Sequence, residues 1–446
     1  MRIVQVLGWY YPENLGGTEV YVATLSRLLV EGGHEVIVAA PLAGIGSPRT
    51  YAHDGVNVYR YPIPSDPTRN EAQGRVSARG SEFFRAWVRE IKPDVVHFHS
   101  IVTGLGLREM RAAKETGALL IFTSHASSLG YICQRGTLMR WGTIPCDGLT
   151  EIVKCSACDL QHRGMPRALA LLLAEEPVSV SHALGGVGTP IGTALGMPDL
   201  IAHNQAMQRE LVALVDRFVV LTQAAASIVT RNGIPAGKLF VSPLGISEMP
   251  AAQKPSSQVE PTTTPVKLGY LGRFDAVKGV VELAEALRSI PASVDFSFEF
   301  RGPALTDADR AVADRVKQIS AGDSRISFAP AVDPSQVNAV LAGYDVLVCP
   351  SVCAEGGPTV AIEAHAAGTP VVGTRIGGLA ELVDDGVNGW LVPPGDVPAL
   401  ADMLARISQS PAETIDRWRG NLPAARTMSD VAEDYAGLYA GQLAAR

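Results

Sequence analysis

Two glutamates, Glu355 and Glu363, stand eight positions apart in the stretch PSVCAEGGPTVAIEAHAAGTPVV, with Gly356, Gly357 and Pro358 between them. Pro358 near a first helical position and Gly368 just past a last one predict a helix here. Glu355 then precedes the helix in a glycine turn, and Glu363 lies more than one turn inside it. Unpaired N–H groups at Gly356, Gly357 and the first turn, at the positive end of the helix dipole, make a place for phosphate. Glycine lets the phosphate come close. A carboxylate accepts hydrogen bonds and repels an anion, so carboxylates on either side suit hydroxyl groups instead. Hydroxyls on both sides of a diphosphate describe a nucleotide sugar. Taken alone, either glutamate is also ordinary helix-start charge.

Other residues have types that could join such chemistry. Arg273 and Lys278 follow the strand-like run VKLGYLG; Lys278 alone reads as a solvated helix-start residue, and its spacing from Arg273 behind a strand favours a functional one. NLGGTE, with Gly16 and Gly17, stands where a first strand ends, and serves either as a βα turn or as a ligand contact. His97 and His99 flank Phe98 on one strand and share a face, towards a site or towards the core. His125 ends the run LLIFTSH. Cys133, Cys146, Cys155 and Cys158 fall within 26 positions, the last two as Cys-x-x-Cys. Clustered cysteines in a reducing compartment favour metal, so a structural zinc is expected, with two disulfides or four unlinked thiols as the alternatives. Cys349 and Cys353 sit in apolar surroundings and read as buried thiols.

The elements that must position these groups repeat an α/β pattern. With 446 residues the chain exceeds one compact core, and 47% apolar against 19% charged residues describes a globular protein. Short apolar runs that do not alternate, RIVQVLG, DVVHFHS, LLIFTSH and RFVVLT, predict parallel strands covered on both faces. VKLGYLG, VDFSFEF, DVLVCPS and PVVGT form a second set, with helical spacing between them. The fold expected is α/β, two doubly wound domains facing across a cleft, with ligands at the carboxyl ends of the strands. The domains are expected at 1–248, with a cysteine-rich insertion at 126–165, and at 266–430. A Pro/Ser/Thr-rich linker at 249–265 joins them, and a terminal helix at 431–446 can pack back on the first domain. A formal charge of -7 without clustered cations argues against nucleic acid. No cleavable leader and no run of 18 apolar residues is present, so the expected location is cytoplasmic, with at most peripheral membrane contact.

SVCAEGGPTVAIEAHAAGTPVVGTRIGGLAELV, GYLGRFDAVKG and GGTEVYVATLSRLLVEGGHEV together resemble the retaining GT-B glycosyltransferases of family 4, group 1. The chain departs from the family at His365, where Met is usual, and at Ala126, where aspartate often follows the histidine. The resemblance implies roles. Arg273 and Lys278 would hold the donor diphosphate, Glu363 the ribose diol, and Glu355 with Gly356 and Gly357 the transferred sugar. Gly16 and Gly17 would line the cleft, and His125 would stand near the donor sugar. The reaction implied moves a hexose-type sugar from a nucleoside-diphosphate sugar to a hydroxyl acceptor. It requires no cofactor for catalysis. A nucleotide-sugar-binding protein of the same architecture, an epimerase or a non-catalytic regulator, is the alternative.

Overall fold

The computed structural model describes residues 1–13, 16–126, 128–142, 144–185, 189–247, 265–354 and 356–446. They divide into two compact units, residues 1–243 with 428–446, and residues 244–427. All but the last residue of the expected linker lies outside the described residues.

The first unit is built on β1 (Arg2–Val6), β2 (Glu35–Ala43), β3 (Arg49–His53), β4 (Val56–Ile63), β5 (Val95–Phe98) and β6 (Leu119–Ser124). A two-stranded hairpin of β7 (Met139–Arg140) and β8 (Ile144–Pro145) follows, then β9 (Arg217–Val220) and β10 (Leu239–Val241). Eight of these form one sheet in the order β10-β9-β6-β5-β1-β2-β4-β3, parallel except where β3 meets β4. The central strands are buried along nearly their whole length, which explains why their sequences do not alternate. Helix Gly17–Glu31 buries Tyr21, Val22, Leu25 and Leu29, a stripe at helical spacing. The last helix, Met428–Ala444, buries Met428, Val431, Tyr435 and Tyr439, and packs on helix Gly17–Glu31 and on β6. The insertion carries the β7–β8 hairpin and helix Ile152–His162.

The second unit holds β11 (Val266–Leu271), β12 (Phe296–Arg301), β13 (Ile326–Ala329), β14 (Val346–Cys349), β15 (Val371–Thr374) and β16 (Gly389–Val392). All pair in parallel, in the order β13-β12-β11-β14-β15-β16. The direction of winding reverses between β11 and β14. Loops leaving the carboxyl ends of two such strands diverge and open a crevice, the usual ligand position of a doubly wound sheet. Phe296, Phe298, Phe300 and Trp418 fill one side of this sheet. Among the described residues no helix is long and apolar enough to cross a membrane.

Candidate functional site

In the second unit the residues singled out in the sequence gather at the switch point between β11 and β14. The loop after β11 carries Arg273 and Lys278, and the loop after β14 carries Gly356 and Gly357. Two glycines let these loops lie against their neighbours. Gly279 has φ +70°, and a Cβ there would stand 1.9 Å from the Pro350 carbonyl oxygen. Gly302, at φ +149°, would meet the Gly272 carbonyl oxygen at the same distance. The Val352 N–H donates to the Val277 carbonyl at 3.0 Å and ties the two site loops together. Asp275 accepts from the Val277 N–H at 3.1 Å and starts the short turn that ends at Lys278.

Arg273 is half-exposed, 3.5 Å from the Asp275 carboxylate, and its backbone carbonyl accepts from the Tyr270 hydroxyl at 2.6 Å. Gly357 has φ +145°, and a Cβ there would come 2.9 Å from Leu244 Cδ1. Helix Thr359–Ala366 follows directly, and among the described residues no side chain caps its N-terminus. Glu363 lies one turn in. Its carboxyl is largely enclosed, burial pushes its pKa up, and it has no hydrogen-bond or ion-pair partner among the described residues. A carboxylate held this way is destabilised until something donates to it. His365 is buried with neither ring nitrogen partnered among the described residues, and burial lowers its pKa to about 4, so it fills space as a neutral ring. Glu355 lies outside the described residues.

In the first unit Gly16 and Gly17 open helix Gly17–Glu31. A Cβ on Gly16 would stand 2.6 Å from a Glu19 carboxylate oxygen, whereas Gly17 faces open space. One turn further on, the Tyr21 ring meets the His125 ring edge-on at 4.8 Å, so this loop and the end of β6 adjoin. His125 belongs to a hydrogen-bonded network. His125 Nε2 and His99 Nδ1 are 2.9 Å apart, and His99 Nε2 is 2.7 Å from Gln5 Oε1. Gln5 Nε2 reaches the Tyr439 hydroxyl at 3.4 Å, which is 2.7 Å from His97 Nδ1. His97 Nε2 meets Thr123 Oγ1 at 2.7 Å, and Thr123 Oγ1 meets the Tyr435 hydroxyl at 2.9 Å.

The amide of Gln5 sets the direction of these bonds. Its oxygen only accepts, so His99 donates from Nε2 and accepts at Nδ1, and His125 must donate from Nε2. On the other side the Gln5 N–H donates to Tyr439, whose hydroxyl proton then goes to His97 Nδ1. Burial, which lowers the pKa of His125 to about 4 and those of His97 and His99 well below their ordinary value, keeps all three rings neutral, as these bond directions require. His125 is left with its Nδ1 lone pair as an acceptor. Sequence reasoning noticed the histidines but missed Gln5, Thr123, Tyr435 and Tyr439. A glutamine inside the apolar run RIVQVLG, and two tyrosines four apart on a helix, were the available signals.

The four clustered cysteines are free thiols that line one apolar cavity of about 30 Å³. Cys146 Sγ accepts from the Gly148 N–H at 3.5 Å, and burial raises the Cys155 thiol to about 11. Among the described residues, no three His, Cys, Asp or Glu side chains are arrayed as metal ligands.

Comparison with known proteins bears on the whole chain. Residues 265–410 match the family described as Glycosyl transferases group 1, and residues 16–150 match the Glycosyl transferase 4-like domain. The WcaL protein of Escherichia coli, a colanic acid biosynthesis glycosyltransferase by name, is 29% identical over 49% of this chain and 54% of its own length. The chain thus spans about half the length of the WcaL proteins of Escherichia coli and Salmonella typhimurium. Among solved structures, a sucrose-phosphate synthase from Thermosynechococcus elongatus is similar over all of both chains, with 20% identity and a TM-score of 0.64. HepE of Anabaena, in complex with UDP and glucose, covers 99% of this chain and 100% of its own, with 14% identity and a TM-score of 0.59. These likenesses show the GT-B fold, two doubly wound α/β domains.

Proposed function

This chain belongs to the group 1 glycosyltransferases, of the family 4 type, and on that basis we propose that it moves a hexose-type sugar from a nucleoside-diphosphate sugar to a hydroxyl acceptor, with retention at the anomeric carbon. One observation carries the reading. The loops that carry Arg273 and Lys278 and the Gly356–Gly357 turn leave the sheet of the second unit at its switch point and are tied by the Val352–Val277 backbone hydrogen bond, and the Glu363 carboxyl has no partner among the described residues; this supports a diphosphate and sugar site there. The complex of HepE with UDP and glucose is a precedent for such a ligand in this fold.

In this reading Glu363 accepts from the ribose hydroxyls, and Arg273 and Lys278 hold the diphosphate. Glu355, Gly356 and Gly357 hold the transferred sugar. As the glycosidic bond breaks, negative charge grows on the leaving diphosphate, and fixed cations with a helix N-terminus stabilise that charge more than they stabilise the bound donor. The acceptor hydroxyl attacks from the same face and gives its proton to the departing β-phosphate. No protein group acts as a general base, and no catalytic divalent ion is called for. Gly16, Gly17 and His125 belong to the first unit's contribution, His125 as a neutral acceptor for a sugar hydroxyl. A structural zinc in the insertion is a separate proposal. It rests on the four thiols around one cavity, which would have to close on the ion to ligate it.

Thermal-shift measurement with UDP, GDP and ADP sugars identifies the donor. Release of nucleoside diphosphate is expected only when an acceptor is present, and NMR of the first-formed product should show the donor's anomeric configuration. Inversion, or release without acceptor, would remove this reading. Metal analysis of protein purified without chelator is expected to give close to one zinc per chain, and its absence ends the zinc proposal.

A further inference from the structure

A cavity of about 720 Å³ opens in the first unit among the segments that follow β4, β5 and β6. One of its walls begins at Ser128, three residues after His125. Its volume suits a mono- or disaccharide-sized ligand. Five arginines and two glutamates line it, an unusual density of cations in a chain of net charge -7.

Most of these charges are already spoken for. Glu71 is held by Arg79 at 3.0 Å and Glu109 by Arg85 at 2.7 Å, both from outside the lining. Arg75 pairs with Asp199 at 2.6 Å, Arg163 with Asp159 at 2.8 Å, and Arg111 with Glu210. Arg69 and Arg108 remain, and among the described residues neither meets a carboxylate. Arg69 donates to the Gly185 carbonyl at 2.9 Å and Arg108 to the Arg75 carbonyl at 2.8 Å. The Nε of Arg108 is buried without a partner among the described residues. A guanidinium with no carboxylate beside it carries an uncompensated positive charge, which an oxyanion in the cavity would offset through charge-assisted hydrogen bonds to the N–H groups of the heads that face it.

We propose that this cavity binds the acceptor, and that the acceptor is a sugar or polyol carrying an oxyanion, a phosphate ester or a carboxylate, held by Arg69 and Arg108. The proposal rests on the glycosyltransferase reading for the word acceptor, but the anion site itself does not. Backbone carbonyls take one N–H from each arginine and fix the two heads, leaving their other donors for the ligand. Tyr131, Gln134 and His203 in the same lining supply groups for its hydroxyls.

Calorimetric titration of the whole chain with glucose 6-phosphate, glucuronate and glucose, without any donor, tests the site. At least one of the two anions is expected to bind tenfold or more tightly than glucose, and which one does so distinguishes phosphate from carboxylate recognition. Arg108→Gln and Arg69→Gln should each weaken that binding by tenfold or more, with wild-type affinity for nucleoside diphosphate and an unchanged thermal unfolding midpoint. Equal binding of all three sugars, no binding of either anion, or anion binding unaffected by both substitutions overturns the proposal. Loss of nucleoside-diphosphate binding in the unsubstituted chain is a different result, and it strikes the donor-site reading alone.

Discussion

The two units use their polar side chains in opposite ways. In the second, Arg273 is half-exposed and the Glu363 carboxyl has no partner among the described residues, so the site is held ready by backbone contacts, Gly279 on Pro350 and Val352 on Val277. In the first, Gln5, His97, His99, Thr123, Tyr435 and Tyr439 are all buried and bonded to one another, and only His125 at the edge keeps an acceptor to offer. An enclosed group left open, as the Glu363 carboxyl is among the described residues, favours a ligand that donates to it and contributes little to stability. A site built from paired groups does the reverse.

Substitutions that remove charge from the second unit should therefore give the largest losses of function. Lys278→Ala is expected to lower kcat by roughly a hundred- to a thousandfold, the cost of losing one preorganised stabiliser of developing charge, with a smaller change in donor affinity. Steady-state kinetics on a fixed acceptor decide this, and an unchanged kcat would dismiss Lys278 from the site. Glu363→Gln should raise the donor Kd, because a charged acceptor of hydroxyl protons is worth roughly 1.5–3 kcal/mol. Since that carboxyl is also held uncomfortably in the free protein, the same variant should not lower the unfolding midpoint, and a drop there would mean an unseen structural partner.

Acid should separate the units further. Burial lowers the pKa of His125 to about 4 in the folded chain, and those of His97 and His99 well below the value of about 6.5 that they have in the unfolded chain. Between those values the unfolded chain binds more protons, so the stability contributed by these neutral rings is complete above about pH 6.5 and falls as pH drops towards 4. The second unit has His365 shifted the same way, but the raised pKa of Glu363 acts in the opposite sense. Hydrogen exchange at pH 7 and pH 5 should show the first unit losing more protection. The smallest effect expected is that of Tyr439→Phe, which leaves His97 Nδ1 buried without a partner, at a cost of about 1–3 kcal/mol, with donor affinity unaltered. Denaturant titration measures the first quantity and nucleotide binding the second.

How much was legible in the sequence follows the same division. The donor-side motif is local. Its loops, helix start and glycines lie in two short stretches, so Arg273, Lys278, Gly356, Gly357 and Glu363 could be singled out as candidates without a structure, and their loops leave neighbouring strands of one sheet. Parallel strands were readable too, from runs such as DVVHFHS that stay apolar without alternating. The histidine network was not, because its bonds join residues as far apart as Gln5 and Tyr439, and nothing in either neighbourhood announces the other. The arginine-lined cavity was missed for a related reason. Sequence shows cations without showing which of them already have a carboxylate beside them, and only the count of pairs singles out Arg69 and Arg108.

The helix Met428–Ala444 belongs to the first unit although the chain has by then passed through the whole of the second. A ribosome makes Gln5, His97 and Thr123 several hundred residues before it makes Tyr435 and Tyr439, the hydroxyls that complete their bonding. During that interval His97 Nδ1, Gln5 Nε2 and Thr123 Oγ1 lack the tyrosine hydroxyls they meet in the folded unit, and a nascent chain halted before residue 435 would keep that defect. The second unit, whose residues are contiguous, can mature while the first still waits. Completion of the histidine network thus follows synthesis of the second unit, and the first unit's integrity depends on the helix Met428–Ala444.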